Sequence, residues 1–356
     1  MKKIDSYTGI RFYWAITIIL CHLYWIYDAF YYHGEFYFLK HGGFAVTGFF
    51  IMSGFLVSMH YADSFEEKGC IHQGFLFMCR HIKKWYLLYI ISMIPALFFE
   101  VWNCKSIVNG CKLLGKLILN VFLVQTWIPK HEYSINKVAW FLSCLCAIYL
   151  FTPVIIKMNK KIREKKVYCV LVEVICFIAI YVLADYKGIL YNHPFYRVFQ
   201  YILGIVLYDL VKDSQVNGKK IWGYFVIAVQ IIAYLHIFPE ISSTIDSFAT
   251  IFFIAIFYFS VSNMFLSGKW ILKLGTISTE IFLLHYPIVV FGGPMIIKLF
   301  PQNSAVFILE QIGIVLISVL VAYIYHEWFQ NLGFMKKIGY CSQVVLCTCC
   351  KVRKNK

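Results

Sequence analysis

The sequence predicts an all-α fold: a polytopic transmembrane helical bundle of about ten spans plus one re-entrant or interfacial helix. Of its 356 residues, 61% are hydrophobic and 14% are charged, with a mean hydropathy of +0.70. A soluble domain of that length carries more charge. The apolar residues fall in runs of about 20, the length that carries a helix across about 30 Å of hydrocarbon. The 33 Lys and Arg against 18 Asp and Glu give a net charge of +15. They are spread over loops and the C-terminal tail, as positive-inside bias would place them, which disfavours a nucleic-acid partner.

Eleven apolar segments run roughly 9–30, 43–60, 84–102, 113–128, 138–156, 167–184, 195–211, 221–238, 246–266, 277–299 and 304–329. The first follows Met1-Lys2-Lys3, too short a basic stretch before too long an apolar run for a cleaved signal peptide, so an uncleaved span is expected. It holds Arg11 and His22. Eleven positions make three turns plus roughly 20°, so the two side chains share one face, about 16 Å apart along the helix. Two roles are open to each. Arg11 could snorkel to the membrane edge and His22 could close an interhelical hydrogen bond; or both line a cavity, the usual setting for ionisable groups at such depth.

Charge decides which later segments cross. If all eleven do, the strongest basic cluster (Lys157, Lys160, Lys161, Arg163, Lys165, Lys166) falls outside, against the positive-inside rule. If 113–128 does not cross, that cluster returns to the cytoplasm. Arg80, His81, Lys83 and Lys84 already lie there, and Lys212, Lys219, Lys220, Lys269, Lys273 and the tail from Lys336 join them. The loops with Asp28 and Glu35, and with Glu240 and Asp246, then fall outside. The expectation is one membrane domain, 1–330, followed by a basic cytoplasmic tail, 331–356, with both termini cytoplasmic.

The thirteen cysteines lie mainly in apolar runs, where Cys packs as a small hydrophobe. Cys347, Cys349 and Cys350 cluster in the tail without a His or Cys partner at zinc-finger spacing, so no disulfide framework is expected and no metal ligands are assigned. No G-x-S-x-G, H-E-x-x-H, P-loop or G-x-G-x-x-G occurs.

What remains is polar residues at span ends and within spans. Arg80, Lys83 and Lys84 open the third span, either as topology-setting charges or as a phosphate clamp for a polyphosphorylated donor. Trp140 and Tyr149 of the fifth span read as interfacial aromatics and Ser143 as a helix-packing residue. Arg197 opens the seventh span after His193-Pro194, where it can snorkel or serve a site. In the run from Ile277-Ser278 to His285, Glu280 and His285 are five residues apart. They face about 140° away from each other and form no local dyad.

These residues resemble the integral-membrane acyltransferase-3 family. Arg11 and His22 match its R-x10-H signature, and Gly43 to Phe55 resembles its G-x-V-x-x-F-F-x-x-S-G-F block. Arg80-His81-Ile82-Lys83-Lys84 with Tyr89 resembles R-R-x-x-R-I-x-P-x-Y, and Trp140-Phe141-Leu142-Ser143 with Tyr149 and Pro153 resembles W-x-L-S…Y…P. Arg197, Phe199 and Gly204 are similar to its R…F…G segment, and Ile277-Ser278…Leu284-His285-Tyr286-Pro287 to its I-S…L-x-H-x-P block. The likeness covers roughly residues 5 to 325. It departs where Leu145 stands in place of a frequent glutamate, and where His81, Lys84 and Leu87 replace two arginines and a proline.

The resemblance implies an acyltransferase of the cell membrane that takes acetyl from cytoplasmic acetyl-CoA, with no bound cofactor. The acceptor is then a hydroxyl of a cell-surface glycan or lipid-linked sugar. His22 would be general base or acyl carrier, Arg11 would orient the donor, and Arg80, Lys83 and Lys84 would hold its phosphates. Trp140, Ser143, Arg197, Ser278 and His285 would serve the acceptor or support the site. The rival is a transporter or flippase of a polar or glycan substrate, in which the same buried Arg and His form a relay. A membrane-embedded assembly subunit without chemistry is a third reading.

Overall fold

The computed structural model describes residues 4–331, apart from 31–33, 66–68, 129, 185, 187–189, 215–219, 236–241, 260–262 and 300–303. Lys2, Lys3, Lys219, Glu240 and the basic tail with Cys347, Cys349 and Cys350 lie outside the described residues. Within them the chain is helical and has no strand. In order come α1 (Asp5–Phe30), α2 (Gly43–Tyr61), α3 (Cys70–Ile82), α4 (Tyr86–Trp102), α5 (Ile107–Val121), α6 (Trp140–Ile162) and α7 (Lys166–Ala184). They are followed by α8 (Pro194–Val211), α9 (Lys220–Tyr234), α10 (Ser242–Tyr258), α11 (Met264–Ser267), α12 (Lys269–Thr276), α13 (Ser278–Leu299) and α14 (Ser304–Asn331). Local chemistry sets several boundaries. Ser106 accepts the Asn109 N–H at 3.2 Å to start α5, and His193 Nδ1 accepts the Phe195 N–H at 3.2 Å with Pro194 opening α8.

Among the described residues five helices are long and apolar enough to cross a membrane, or up to seven if each of two bent pairs is one span. The pairs are α3 with α4, bent by 65°, and α12 with α13, bent by 66°. Helices α9 and α10 are apolar but only 15 and 17 residues long. Hydropathy passes over α3 and α12 because both are amphipathic: α3 exposes His72 and Arg80, and α12 exposes Lys273, so an averaging window dilutes their apolar faces.

Segment 113–128 resolves into α5 and a 3-10 turn at Gln125–Trp127. Fifteen residues span about 22 Å, short of the hydrocarbon core. Polar bonds tie this segment and the loop after it to α4 and to each other. Tyr89 donates to the Asn120 carbonyl at 2.8 Å, Asn120 Nδ2 donates to Ser134 Oγ at 2.7 Å, and Asn136 Nδ2 to Ser92 Oγ at 2.9 Å. At the other end of the bundle Arg163 Nη2 meets Asp63 Oδ1 at 2.7 Å, joining the ends of α2 and α6. The 157–166 cluster therefore lies on the same face as the loop after α2. Among the described residues, α6 and the bent pair α3–α4 are long and apolar enough to cross a membrane, and α5 is not.

The Asp63 carboxyl is largely exposed, and the Arg163 guanidinium holds it below the usual carboxylate range. A lowered folded value means the pair stabilises above the ordinary carboxylate pKa of about 4 and fades as the pH falls through that lowered value. Asp63→Asn is thus expected to cost less than about 1 kcal/mol at neutral pH. Thermal unfolding in detergent should show a small loss that shrinks on acidification and in high salt; a loss of several kcal/mol would show that the contact is not a surface pair.

The central seam is α2 against α8. A Cβ on Gly54 would meet the Tyr201 carbonyl, and one on Gly204 the Ile51 carbonyl, so the two backbones touch as small-residue membrane crossings do. Helix α1 packs beside α13, reaches α11 through Gly9, which faces the Leu266 carbonyl, and reaches α12 through Gly275, which faces the Thr8 carbonyl.

Candidate active site

Helices α1 and α13 bring together two imidazoles that are 263 positions apart in the chain: His22 Nδ1 lies 3.0 Å from His285 Nε2. The rings are stacked, with centroids 5.2 Å apart and planes 22° apart, and Tyr286 sets its ring edge against His22 at 5.7 Å. His285 is fully buried and its Nδ1 reaches the Ile281 carbonyl at 3.3 Å, whereas His22 keeps accessible surface. Lys137, in the 3-10 turn Lys137–Ala139, lies within Coulombic reach of His22.

Arg11 sits on the same face of α1, three turns toward the α1 N-terminus, and is half-buried. Glu280 and Tyr149 are within its Coulombic reach. Glu280 Oε1 is bonded to His326 Nδ1 at 2.9 Å. Tyr149 is buried, shares a hydrogen bond of 3.1 Å with Ser53, and lies against the His81 ring at 5.1 Å. His81 in turn holds the Phe77 carbonyl at 2.8 Å through Nδ1. A polar line thus runs from the α3–α4 bend through His81 and Tyr149 to Arg11. Arg80 stands on the last turn of α3 and Lys83 and Lys84 in the bend itself, all three exposed.

Helix α13 shows why Glu280 and His285 form no local dyad. The two groups leave it in different directions, Glu280 to His326 and His285 to His22. Sequence reading passed over three members of this constellation. Ser53 sits in a glycine-rich packing block, His81 stands where an arginine was expected, and Tyr149 resembles a belt residue. Their only signal is that they are polar at positions that later prove to face inward.

The other residues singled out lie apart from the His pair. Arg197 does not snorkel: it is 1% exposed and Trp140, Tyr191, Tyr196 and Phe50 cage it, with ring centroids 5.2, 4.1, 5.2 and 5.4 Å from its guanidinium carbon. Its Nε donates to the Tyr191 carbonyl at 2.9 Å and Nη1 to Gln200 at 2.8 Å, and Gln200 donates on to Thr47 at 3.1 Å. Ring quadrupoles and neutral acceptors stand where a counter-ion would. Trp140 is accordingly a buried wall of that cage rather than an interfacial residue. Ser143 Oγ donates to the Leu123 carbonyl at 2.6 Å and shares 2.7 Å with Thr126 Oγ1, pinning the turn where Leu123 takes φ 55°. Ser278 is buried at the α12–α13 bend. No group of three metal-ligating side chains occurs among the described residues.

Comparison with known proteins adds three findings. Residues 4–327 match the model of a family described as an acyltransferase domain. The chain is 22% identical over 175 residues to the acyltransferase MdmB of Streptomyces mycarofaciens. That stretch is 47% of this chain and 42% of the relative, so less than half of the relative's length is matched. No solved structure matches.

Proposed function

The chain belongs to the acyltransferase-3 family of integral-membrane proteins, and on that premise we propose that it moves an acetyl group from cytoplasmic acetyl-CoA to a hydroxyl of a cell-surface glycan or lipid-linked sugar. The observation that carries this reading is the half-buried His22, hydrogen-bonded to His285 and three turns from Arg11 on one helix face. An alcohol is too weak an acid to attack a thioester unaided, and an imidazole is the side chain suited to take its proton near neutral pH.

His22 takes the hydroxyl proton as the oxygen bonds to the thioester carbonyl carbon. The carbon–sulfur bond then breaks and the leaving thiolate receives that proton. Arg11 orients the donor or steadies the charge that develops on the carbonyl oxygen. The same imidazole could instead carry the acetyl group between two displacements. Arg80, Lys83 and Lys84 bind the donor's phosphates at the bend, with charge-assisted bonds that suit a polyphosphate. Trp140, Ser143 and Arg197 support the acceptor side by fixing the ends of α2, α6 and α8, and Ser278 supports the α12–α13 bend. The basic loops support a cell-membrane location with the donor side and both termini facing the cytoplasm.

Purified protein with radiolabelled acetyl-CoA tests the reading. Thioester consumption that depends on an added glycan acceptor supports it, whereas accumulation of unmodified solute in vesicles would replace it with transport. The triple substitution Arg80→Gln, Lys83→Gln, Lys84→Gln is expected to raise the donor KM by about tenfold or more while kcat changes less, because it removes binding common to ground and transition states. An unchanged KM would move the donor elsewhere.

A further inference from the structure

We infer that His285 is a positioning residue that fixes the tautomer of His22, leaving Nε2 as the bare nitrogen that meets the acceptor hydroxyl. The inference rests on the acetyl-transfer reading for its chemistry and on hydrogen-bond geometry for everything else. His285 Nδ1 faces the Ile281 carbonyl, which can only accept, so the proton of a neutral His285 resides on Nδ1. Its Nε2 is then a lone pair, and it lies 3.0 Å from His22 Nδ1. That nitrogen must supply the proton for the bond between the rings. A neutral imidazole carries one such proton, so Nε2 is left without one.

The arrangement parallels a base held by a buried acceptor, as in hydrolytic triads, with a neutral ring in place of the carboxylate. When Nε2 takes the acceptor proton, His22 becomes an imidazolium whose Nδ1–H still points at His285 Nε2, so the new charge is met by a lone pair. When Nε2 passes that proton to the thiolate, the pair returns to its starting state. The charged and titratable groups around the pair are Lys137 from the turn 137–139, the Tyr286 ring edge, and Arg11 and Glu280 farther along α1 and α13.

The test uses the full chain labelled with ¹⁵N-histidine in lipid nanodiscs, with His22 assigned by difference against His22→Gln. The expected spectrum shows His22 with a protonated Nδ1 and a bare Nε2; a protonated Nε2 would overturn the inference. This readout needs no acceptor, so it stands apart from failure of the acetyl-transfer reading. In the acetyl-CoA assay, His285→Leu is expected to lower kcat on the order of 10²-fold with donor KM unchanged. His285→Gln, whose amide oxygen can accept from His22 Nδ1, should recover most of that loss and shift the pH profile. Equal rates and equal pH profiles for wild type and both variants would also overturn the inference.

Discussion

His22→Ala is expected to lower acyl transfer by about 10²–10⁴-fold, the range for loss of a positioned general base. kcat and kcat/KM should fall together, because the proton is shared only in the transition state. Folding should survive. His22 is half-buried and its one ring–ring hydrogen bond goes to His285, so the variant should remain monodisperse in detergent. Arg11→Ala should lower the rate by about 10²–10³-fold if the guanidinium faces the developing oxyanion. The two losses should not add, since both act on one transition state. Acyl-carrier chemistry has its own signature: acetyl-CoA without acceptor would leave label on the wild-type chain and none on His22→Ala. An inserted, folded His22→Ala protein that modifies the glycan at the wild-type rate would remove His22 from the chemistry.

Much of this site was legible in the chain because a helix has a fixed period. Arg11 and His22 are eleven residues apart on one helix, so their common face follows from 3.6 residues per turn. The same arithmetic separated Glu280 from His285, and the structure gives each its own partner. The His22–His285 bond was not legible. It joins helices at opposite ends of the chain, and no local period reports which two of several buried helices will touch.

Charge was read with a similar division. The 157–166 cluster argued for an even number of crossings after α2, and the Asp63–Arg163 contact joins the ends of α2 and α6. Arg197 was read by type, as an arginine near a membrane edge, when its setting is four aromatic rings contributed by α2, α6, α8 and the loop before α8. Nothing in a linear sequence marks Phe50, Trp140, Tyr191 and Tyr196 as neighbours. The same holds for Ser143, whose partners Leu123 and Thr126 lie in a turn that hydropathy merges into an apolar segment.

Gly54→Leu is expected to be strongly destabilising. At Gly54 and Gly204 the neighbour of an added Cβ is a backbone carbonyl locked in a helical hydrogen bond, which cannot rotate away as a side chain would. Helices α2 and α8 must then separate along their seam. Overpacking typically costs about 1–3 kcal/mol and can cost more where the backbone has to move; here it moves. One bond crosses this seam, Gln200 of α8 to Thr47 of α2 at 3.1 Å, and parting the helices strains it. Gly115 and Gly313 provide the control: a Cβ there meets nothing within 4 Å, and Ala in a helix is favoured over Gly by up to about 1 kcal/mol. Melting in detergent should therefore show Gly54→Leu and Gly204→Leu strongly lowered and Gly115→Ala and Gly313→Ala unchanged or raised. If Gly54→Leu melted with the wild type, the close crossing would be wrong. The milder Gly54→Ala ties the seam to the chemistry. Ser53, the next residue on α2, bonds Tyr149, and Tyr149 lies within reach of Arg11. The Cβ that Gly54→Ala adds already meets the Tyr201 carbonyl, so this variant should lower the melting temperature less than Gly54→Leu and lower acyl transfer with it.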